Sequence, residues 1–295
     1  MVHLKQHGAD LAQRKRKDEK MRIIENLILA LLLALSTTAC GGEGQSAPTA
    51  APTEGALEVH YIDVGQADSA LILCGGESML IDGGNVADSS LVVSYLADQG
   101  VDSLDYVVCT HAHEDHVGGL SGPLSQYPAE HVLAPVTEYD TKAFENFLKY
   151  TRQQGLEVTS PSPGDTWTVG DASVTVLGPQ KAYEDTNNTS IVLRLDYGET
   201  SFLFTGDAER DAEADMLEAG AALQADVLKV GHHGSNTSTS YPFLREVAPE
   251  YAVISVGEGN DYGHPHEETM SRLRDADVTV YRTDLQGHIV ATSNG

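Results

Sequence analysis

His111, His113, Asp115 and His116 crowd into six positions of the stretch Thr110-His-Ala-His-Glu-Asp-His-Val-Gly-Gly119. Imidazoles suit zinc, iron, manganese and nickel, and carboxylates suit harder ions, so the mixture fits transition-metal ions. On a sharp loop His111 and His113 can point to one metal while Asp115 and His116 point to a second. Two metals about 3.5–4 Å apart can share a water, lower its pKa and present hydroxide at neutral pH. The same ions stabilise charge developing on a phosphoryl or carbonyl oxygen. The plain alternative is a solvated polar loop of satisfied histidines.

Other chemistry-bearing residues sit at the ends of apolar runs. Asp207 follows a strand pattern over 200–205; alone, Gly206-Asp207 reads equally as a turn. His232 and His233 follow the run 226–230. Adjacent residues on a strand point to opposite faces, but a loop at the strand end can turn both inward. Asp82, in Leu80-Ile-Asp-Gly-Gly84, is either a turn aspartate or an outer partner that orients a ligating histidine through its ring N–H. Ser235 either hydrogen-bonds substrate or caps the segment that follows.

The elements that must hold these residues begin at Leu57. A strand with Leu57, Val59 and Tyr61 on one face precedes a hairpin, Ala70–Leu73 and Met79–Ile81, turning at Gly75-Gly76. A helix fits 87–99, with Leu91, Val92, Tyr95 and Leu96 on one face and Gly100 as its stop. Tyr106-Val-Val-Cys-Thr110 is a short apolar strand that ends in the histidine cluster. Helices are predicted at 140–154, 208–219 and 266–275. Strands are predicted at 173–177, 190–196, 200–205, 226–230, 251–256, 278–281 and 288–292. Strand-rich segments alternating with single helices form one layered α/β domain over 57–295.

Residues 1–40 read as processing information. The basic residues Arg14-Lys15-Arg16-Lys17 and Lys20-Met21-Arg22 lead into the apolar run Leu27–Leu35 and then small residues ending at Cys40-Gly41-Gly42. That is a signal peptide, its apolar run too short for a comfortable membrane span, with Met21 a plausible start. Small residues before Cys40 resemble a bacterial lipoprotein lipobox, with Thr37 where a leucine is usual. The resemblance implies lipidation of Cys40 and anchoring at the outer face of a bacterial membrane; a plain secretory signal is the alternative. Residues 41–56 form a flexible, Pro-punctuated linker. Cys74 and Cys109 lie in apolar runs and read as buried thiols, with a disulfide between them open in an oxidising compartment. The net charge of −26 disfavours tight nonspecific grip on a polyanion.

The histidine stretch resembles the metal-binding motif of the metallo-β-lactamase superfamily. Around it, in order, stand Ile62-Asp-Val-Gly-Gln-Ala-Asp-Ser-Ala-Leu71, Leu80–Gly84, Phe204-Thr-Gly-Asp207, Lys229-Val-Gly-His-His-Gly-Ser235 and Tyr262-Gly-His-Pro-His266. This series is similar to the C-terminal hydrolase domain of the DNA-uptake channel ComEC and its stand-alone secreted relatives, and more distantly to phosphorylcholine esterase domains. It covers roughly residues 57–293. The resemblance implies an αββα four-layer sandwich and two divalent ions, zinc first and manganese second. His111, His113, Asp115 and His116 would bind them, Asp207 would bridge them, and one or both of His232 and His233 would complete the shells.

Asp82 would orient a ligand, Asp115 and His264 would act in catalysis, and Asn188 and Ser235 would touch substrate. His264 would contact the phosphate, give a proton to the leaving group, or bind metal. The superfamily usually supplies another histidine between the first motif and the bridging aspartate. Here only His131 lies in that interval, opening a predicted strand far from the expected place, and Asn187-Asn188-Thr189-Ser190 holds that place. Asn188 is then a weak ligand, a substrate contact or an ordinary turn residue.

The implied function is extracytoplasmic phosphodiester hydrolysis, of nuclease type on single-stranded DNA or on a cell-wall or phosphorylcholine ester. The acidic chain favours the smaller substrate, since strand-binding proteins need a positive groove or stacking platform. Rival readings are a lactam or lactone hydrolase and a non-catalytic binding component of a DNA-uptake system. No protein partner is indicated.

Overall fold

Alternation along the strands decides the architecture. In the computed structural model, which describes residues 3–6 and 56–295, β2 (Leu57–Tyr61) sends Leu57, Val59 and Tyr61 into one apolar cluster. In β3 (Ala70–Cys74) and β4 (Glu77–Ile81), Ile72, Met79 and Ile81 join that cluster, while Leu71 and Leu80 face the opposite way into a second. The other half behaves alike. Phe202 and Phe204 of β11 (Thr200–Phe204) and Val253 of β13 (Tyr251–Ile254) enter the shared cluster, and Leu203, Ala252 and Ile254 enter a third. Strands apolar on both faces must be covered on both faces, and two such sheets back to back need helices outside.

The first sheet runs β1-β15-β2-β3-β4-β5-β6-β7 and the second β14-β13-β12-β11-β10-β9-β8. The remaining strands are β1 (His3–Gln6), β5 (Leu104–Val108), β6 (Ala129–Leu133), β7 (Val158–Thr159), β8 (Thr166–Val169), β9 (Ala172–Gly178), β10 (Val192–Tyr197), β12 (Val227–Lys229), β14 (Thr279–Arg282) and β15 (Ile289–Ser293). Helices α1 (Ser89–Asp98), α2 (Glu114–Val117), α3 (Ser121–Gln126) and α4 (Lys142–Gln153) cover the first sheet. The second sheet is covered by α5 (Arg210–Glu218), α6 (Tyr241–Val247) and α7 (Glu267–Asp275). A short α8 (Thr283–Gln286) precedes the last strand. The expected four layers are present.

Helix α4 shows why the local pattern suffices. The Thr141 hydroxyl caps it by accepting from Phe144 N, and Ala143, Phe144, Phe147 and Thr151 form its buried stripe. In α1 the buried residues are Val92, Tyr95 and Leu96, whereas Leu91, expected on the same face, is exposed. A residue one step before Val92 lies about 100° around the helix, off the i, i+3, i+4 stripe. Strands β7 and β8 were not expected, because two to four residues are too few to show alternation. His131 lies in the middle of β6 rather than at its start, its ring stacked on Tyr106 of β5.

Cys74 and Cys109 are both buried and free. They belong to different apolar clusters on opposite faces of the first sheet. Cys40, with its lipobox, and linker residues 41–55 lie outside the described residues; of the expected signal segment only β1 is described, pairing antiparallel with β15. Among the described residues no helix is long and apolar enough to cross a membrane.

Two glycine-bearing loops meet so closely that side chains are excluded. Gly83 N donates to His116 O at 2.8 Å and Gly119 N donates to Gly84 O at 2.9 Å. A Cβ on Gly119 would stand 1.8 Å from the Gly83 carbonyl oxygen. Gly119→Ala should therefore cost about 3 kcal/mol or more by overpacking. The check is denaturant unfolding of the metal-free variant; a loss under about 1 kcal/mol would mean that the loops separate without penalty.

Candidate metal centre

The cluster forms where parallel strands end. β4 and β5 run parallel in one sheet, and β11, β12 and β13 run parallel in the other. Ligands in α/β folds bind beyond the carboxyl ends of such strands. Asp82 follows β4, the His111–His116 loop follows β5, Asp207 follows β11, and His232-His233 follows β12.

Asp82 organises the first loop. Its Oδ1 accepts from Thr110 N at 2.7 Å, and its Oδ2 accepts from Thr110 Oγ1 at 2.7 Å and faces His116 Nδ1 at 2.8 Å. A carboxylate accepts only, so His116 Nδ1 carries a proton and Nε2 is the atom left to bind a metal. Asp82 thus has the geometry of the orienting partner, held at φ +58°, a left-handed conformation that costs energy for a residue with a side chain.

His116 Nε2 and Asp207 Oδ1 lie 3.2 Å apart, yet both are buried without a hydrogen bond of acceptable geometry. Orphaned buried polar atoms require an explanation, and a cation between them supplies one. The neighbouring spacings agree. His233 Nε2 is 3.2 Å from Asp115 Oδ2 and 3.7 Å from Asp207 Oδ2, and His116 Nε2 is 3.9 Å from Asp115 Oδ2. Ligand atoms on one tetrahedral zinc, with bonds of about 2.0–2.2 Å, stand roughly 3.3–3.5 Å apart. Asp115, His116, Asp207 and His233 offer ligand atoms that all lie within 4.8 Å of one another.

A second group shares Asp207. His111 Nε2 is 3.1 Å from His113 Nδ1 and 3.9 Å from Asp207 Oδ2. His232 Nε2 is 3.7 Å from the same oxygen, while its Nδ1 is 3.1 Å from Glu209 Oε1 and 3.2 Å from Thr237 Oγ1. His232 and His233 have φ of +50° and +52°. Two successive left-handed residues break the strand's alternation, and this brings both rings to Asp207.

Charge follows from packing. Burial opposes protonation of His116, but Asp207, Asp82 and Asp115 outweigh it and raise its pKa well above the usual value. His233 is likewise opposed by burial, yet Asp207, Asp68 and Asp115 raise it to about 10. Burial and the charge of His116 hold His111 well below its ordinary range. Asp115, despite burial, is lowered to about 2 by His116 and His233, and Asp207 is lowered well below the usual value by His116, His233 and His111.

The remaining expected residues fall around this cluster. His264 lies 5.7 Å from His232 between ring centroids. Gln66 Oε1 accepts from Gly257 N, so its amide N–H is the group that faces His264 Nδ1 at 3.3 Å. Burial and the neighbouring His233, His232 and His266 lower His264 to about 4. Asn188 Oδ1 accepts from Glu209 N and Ala212 N at the start of α5, so this oxygen caps a helix. Ser235 Oγ accepts from Thr237 N and meets Thr237 Oγ1 at 3.0 Å, a local turn contact.

Three neighbours had no assigned role in the sequence: Asp68, 3.3 Å from His233 Nδ1; Lys229, 2.7 Å from Asp68; and Glu209 beside His232. Asp68 and Lys229 stand inside motif segments already singled out, but no spacing rule links positions so far apart in the chain.

The chain is similar to known proteins. The family model described as Metallo-beta-lactamase superfamily matches residues 62–258. ComE operon protein 3 of Bacillus subtilis is 31% identical over 251 residues, covering 79% of this chain and 32% of that protein. Recombination protein 2 of Haemophilus influenzae is 33% identical over 241 residues, covering 79% of this chain and 28% of that protein. The chain thus spans about a third of the length of the curated relatives it matches. Among solved structures, the metallo-beta-lactamase fold protein YhfI of Bacillus subtilis superposes with a TM-score of 0.54 at 16% identity, over 79% of this chain and 98% of that one, a likeness of fold.

The raised His116 and His233 pKa values carry a signed prediction. Below about 10, metal-free His233 holds a proton that a ligating Nε2 must lose. Zinc binding should therefore release protons, and apparent affinity should rise from about pH 6 to about pH 8. Calorimetric titrations in two buffers of different ionisation enthalpy measure the release; identical heats would contradict the charge assignment.

Proposed function

The chain belongs to the metallo-beta-lactamase superfamily, and we propose that it is an extracytoplasmic phosphodiesterase that works with two divalent ions. The observation that carries this is the position of Asp207: one buried carboxylate between the His111–His113 group and the Asp115–His116–His233 group. A shared carboxylate is what a two-ion site requires, and paired ions suit in-line displacement at phosphorus. The relative named Recombination protein 2 supports a nucleic-acid diester as one substrate. The net charge of −26 supports the smaller cell-wall or phosphorylcholine ester as the other. The basic stretch, apolar run and Cys40 support export and a lipid anchor at the extracytoplasmic face of the cell membrane.

His111, His113 and Asp207 would hold one ion; Asp115, His116, Asp207 and His233 would hold the other, with His232 a further ligand on the solvent side. Zinc fits the donor set first and manganese second. Bound ions would supply Lewis acidity and activate a water at neutral pH.

The side chains do the rest. Asp82 keeps the His116 ring turned inward by taking its Nδ1 proton in a hydrogen bond. Asp115, ionised and partly exposed, offers an oxygen to orient the attacking water. With a pKa of about 4, His264 is neutral at pH 7. The Gln66 amide on Nδ1 leaves the proton on Nε2, so His264 serves as a neutral hydrogen-bond donor to a phosphoryl oxygen rather than as a charged acid.

The test loads residues 55–295 with zinc or manganese and assays bis-p-nitrophenyl phosphate, p-nitrophenyl phosphorylcholine, single-stranded DNA and nitrocefin in parallel. Diester cleavage is expected, reduced more than about a hundredfold in Asp207→Ala, since even outer partners of ligands are worth 10–100-fold. His264→Ala should lower kcat by about 10²-fold, the scale for one lost donor to developing charge, with metal content unchanged. Cleavage of nitrocefin alone would move the assignment to a lactam hydrolase. Two bound metals without any cleavage would move it to a binding component.

A further inference from the structure

Lys229 closes β12 and is buried. Lysine is almost never fully buried without a charged partner. Here Nζ lies 2.7 Å from Asp68 Oδ2 and donates to Val230 O at 3.0 Å. Asp68 is buried too, and its other oxygen stands 3.3 Å from His233 Nδ1 without a hydrogen bond of acceptable geometry, while Nδ1 hydrogen-bonds to Ser255 O at 3.1 Å. The Asp68 backbone ties in two more parts of the cluster: its N donates to Asp115 O at 3.1 Å, and its carbonyl accepts from Gly84 N at 2.8 Å.

This placement poses a problem that the lysine solves. Asp68 offers an oxygen within 4.8 Å of ligand atoms of Asp82 and His116, so left alone it would compete for a cation. The ammonium occupies one oxygen and leaves the other for the imidazole. We infer that Lys229 and Asp68 are a positioning pair: the lysine anchors Asp68, and the Asp68 charge beside Nδ1, together with the hydrogen bond to Ser255 O, keeps the His233 Nδ1–H outward and Nε2 toward Asp115 and Asp207. Outer partners of this kind fix the tautomer and ring orientation of a ligating histidine. The pair rests on the ion-holding role of the cluster and is independent of which bond is cleaved.

Full-length protein carrying Asp68→Asn, Lys229→Met or both changes is titrated with zinc against a chromophoric chelator, and its cobalt-loaded form is examined by absorption spectroscopy. Each single change should weaken the zinc equivalent held through His233 by about 10–100-fold and alter the cobalt d–d bands. Because the lysine acts through Asp68, the double variant should bind as Asp68→Asn does. Lys229→Met alone leaves a buried charge without its partner, which can prevent folding. In that case the double variant, which has no such charge, is compared with Asp68→Asn. A further loss of affinity in the double variant would overturn the pairing. Unchanged affinity and cobalt bands with only a lower melting temperature would reduce the pair to a structural contact. If the unaltered, metal-loaded protein cleaves no diester while the variants show the expected loss of zinc affinity, the proposed reaction fails and the pair stands.

Discussion

Asp207 is a carboxylate that water cannot solvate, and much of the site answers to that. Burying an unpaired charge is costly. His116, His233 and His111 all approach this side chain and depress its pKa, while Ser190 Oγ receives its backbone N–H at 3.0 Å. The rings carrying that compensation must themselves be anchored. Asp82 holds His116, and Asp68 with Ser255 O holds His233. The outer contacts come from β3, β4 and β13 regions while the inner ones follow β5, β11 and β12, so both sheets are needed to build one site. A divalent pair fits such a cluster because it neutralises the carboxylates that the imidazoles compensate only in part.

Backbone strain concentrates at the same place. Asp82, His232 and His233 all adopt positive φ, which persists only where surrounding contacts over-determine it. Those contacts are visible beyond His233. Glu213 of α5 accepts from Thr239 N and Ser240 N, and Arg272 of α7 donates to Ser238 O at 2.7 Å and to Asn236 O at 3.1 Å. Helices on the outer face of the second sheet thus clamp the segment after the two histidines and hold them in a conformation an isolated loop would leave.

Much of the fold was legible from Leu57 onward, because burial on both faces imposes apolar runs of strand length and helices show their stripe locally. The hairpin, α4 and most strands of the second sheet end within a residue or two of their expected limits. Leu91 shows the limit of a stripe judged by composition, and β7 and β8 show the limit of alternation in very short strands. The histidine cluster was equally plain, since four residues of metal-binding type in six positions need little context.

What composition and spacing determined, then, was the layered class, the His111–His116 cluster and the acid character of the chain; these depend on residues adjacent in sequence. Tertiary structure alone decided that Asp207 stands between two groups of imidazoles, that left-handed backbone brings both His232 and His233 inward, and that Asn188 Oδ1 caps α5. It alone joined Lys229 to Asp68 across 160 intervening residues. Each of these depends on how segments distant in the chain meet at the strand ends. That meeting is set by the packing of the whole core, which no local pattern encodes.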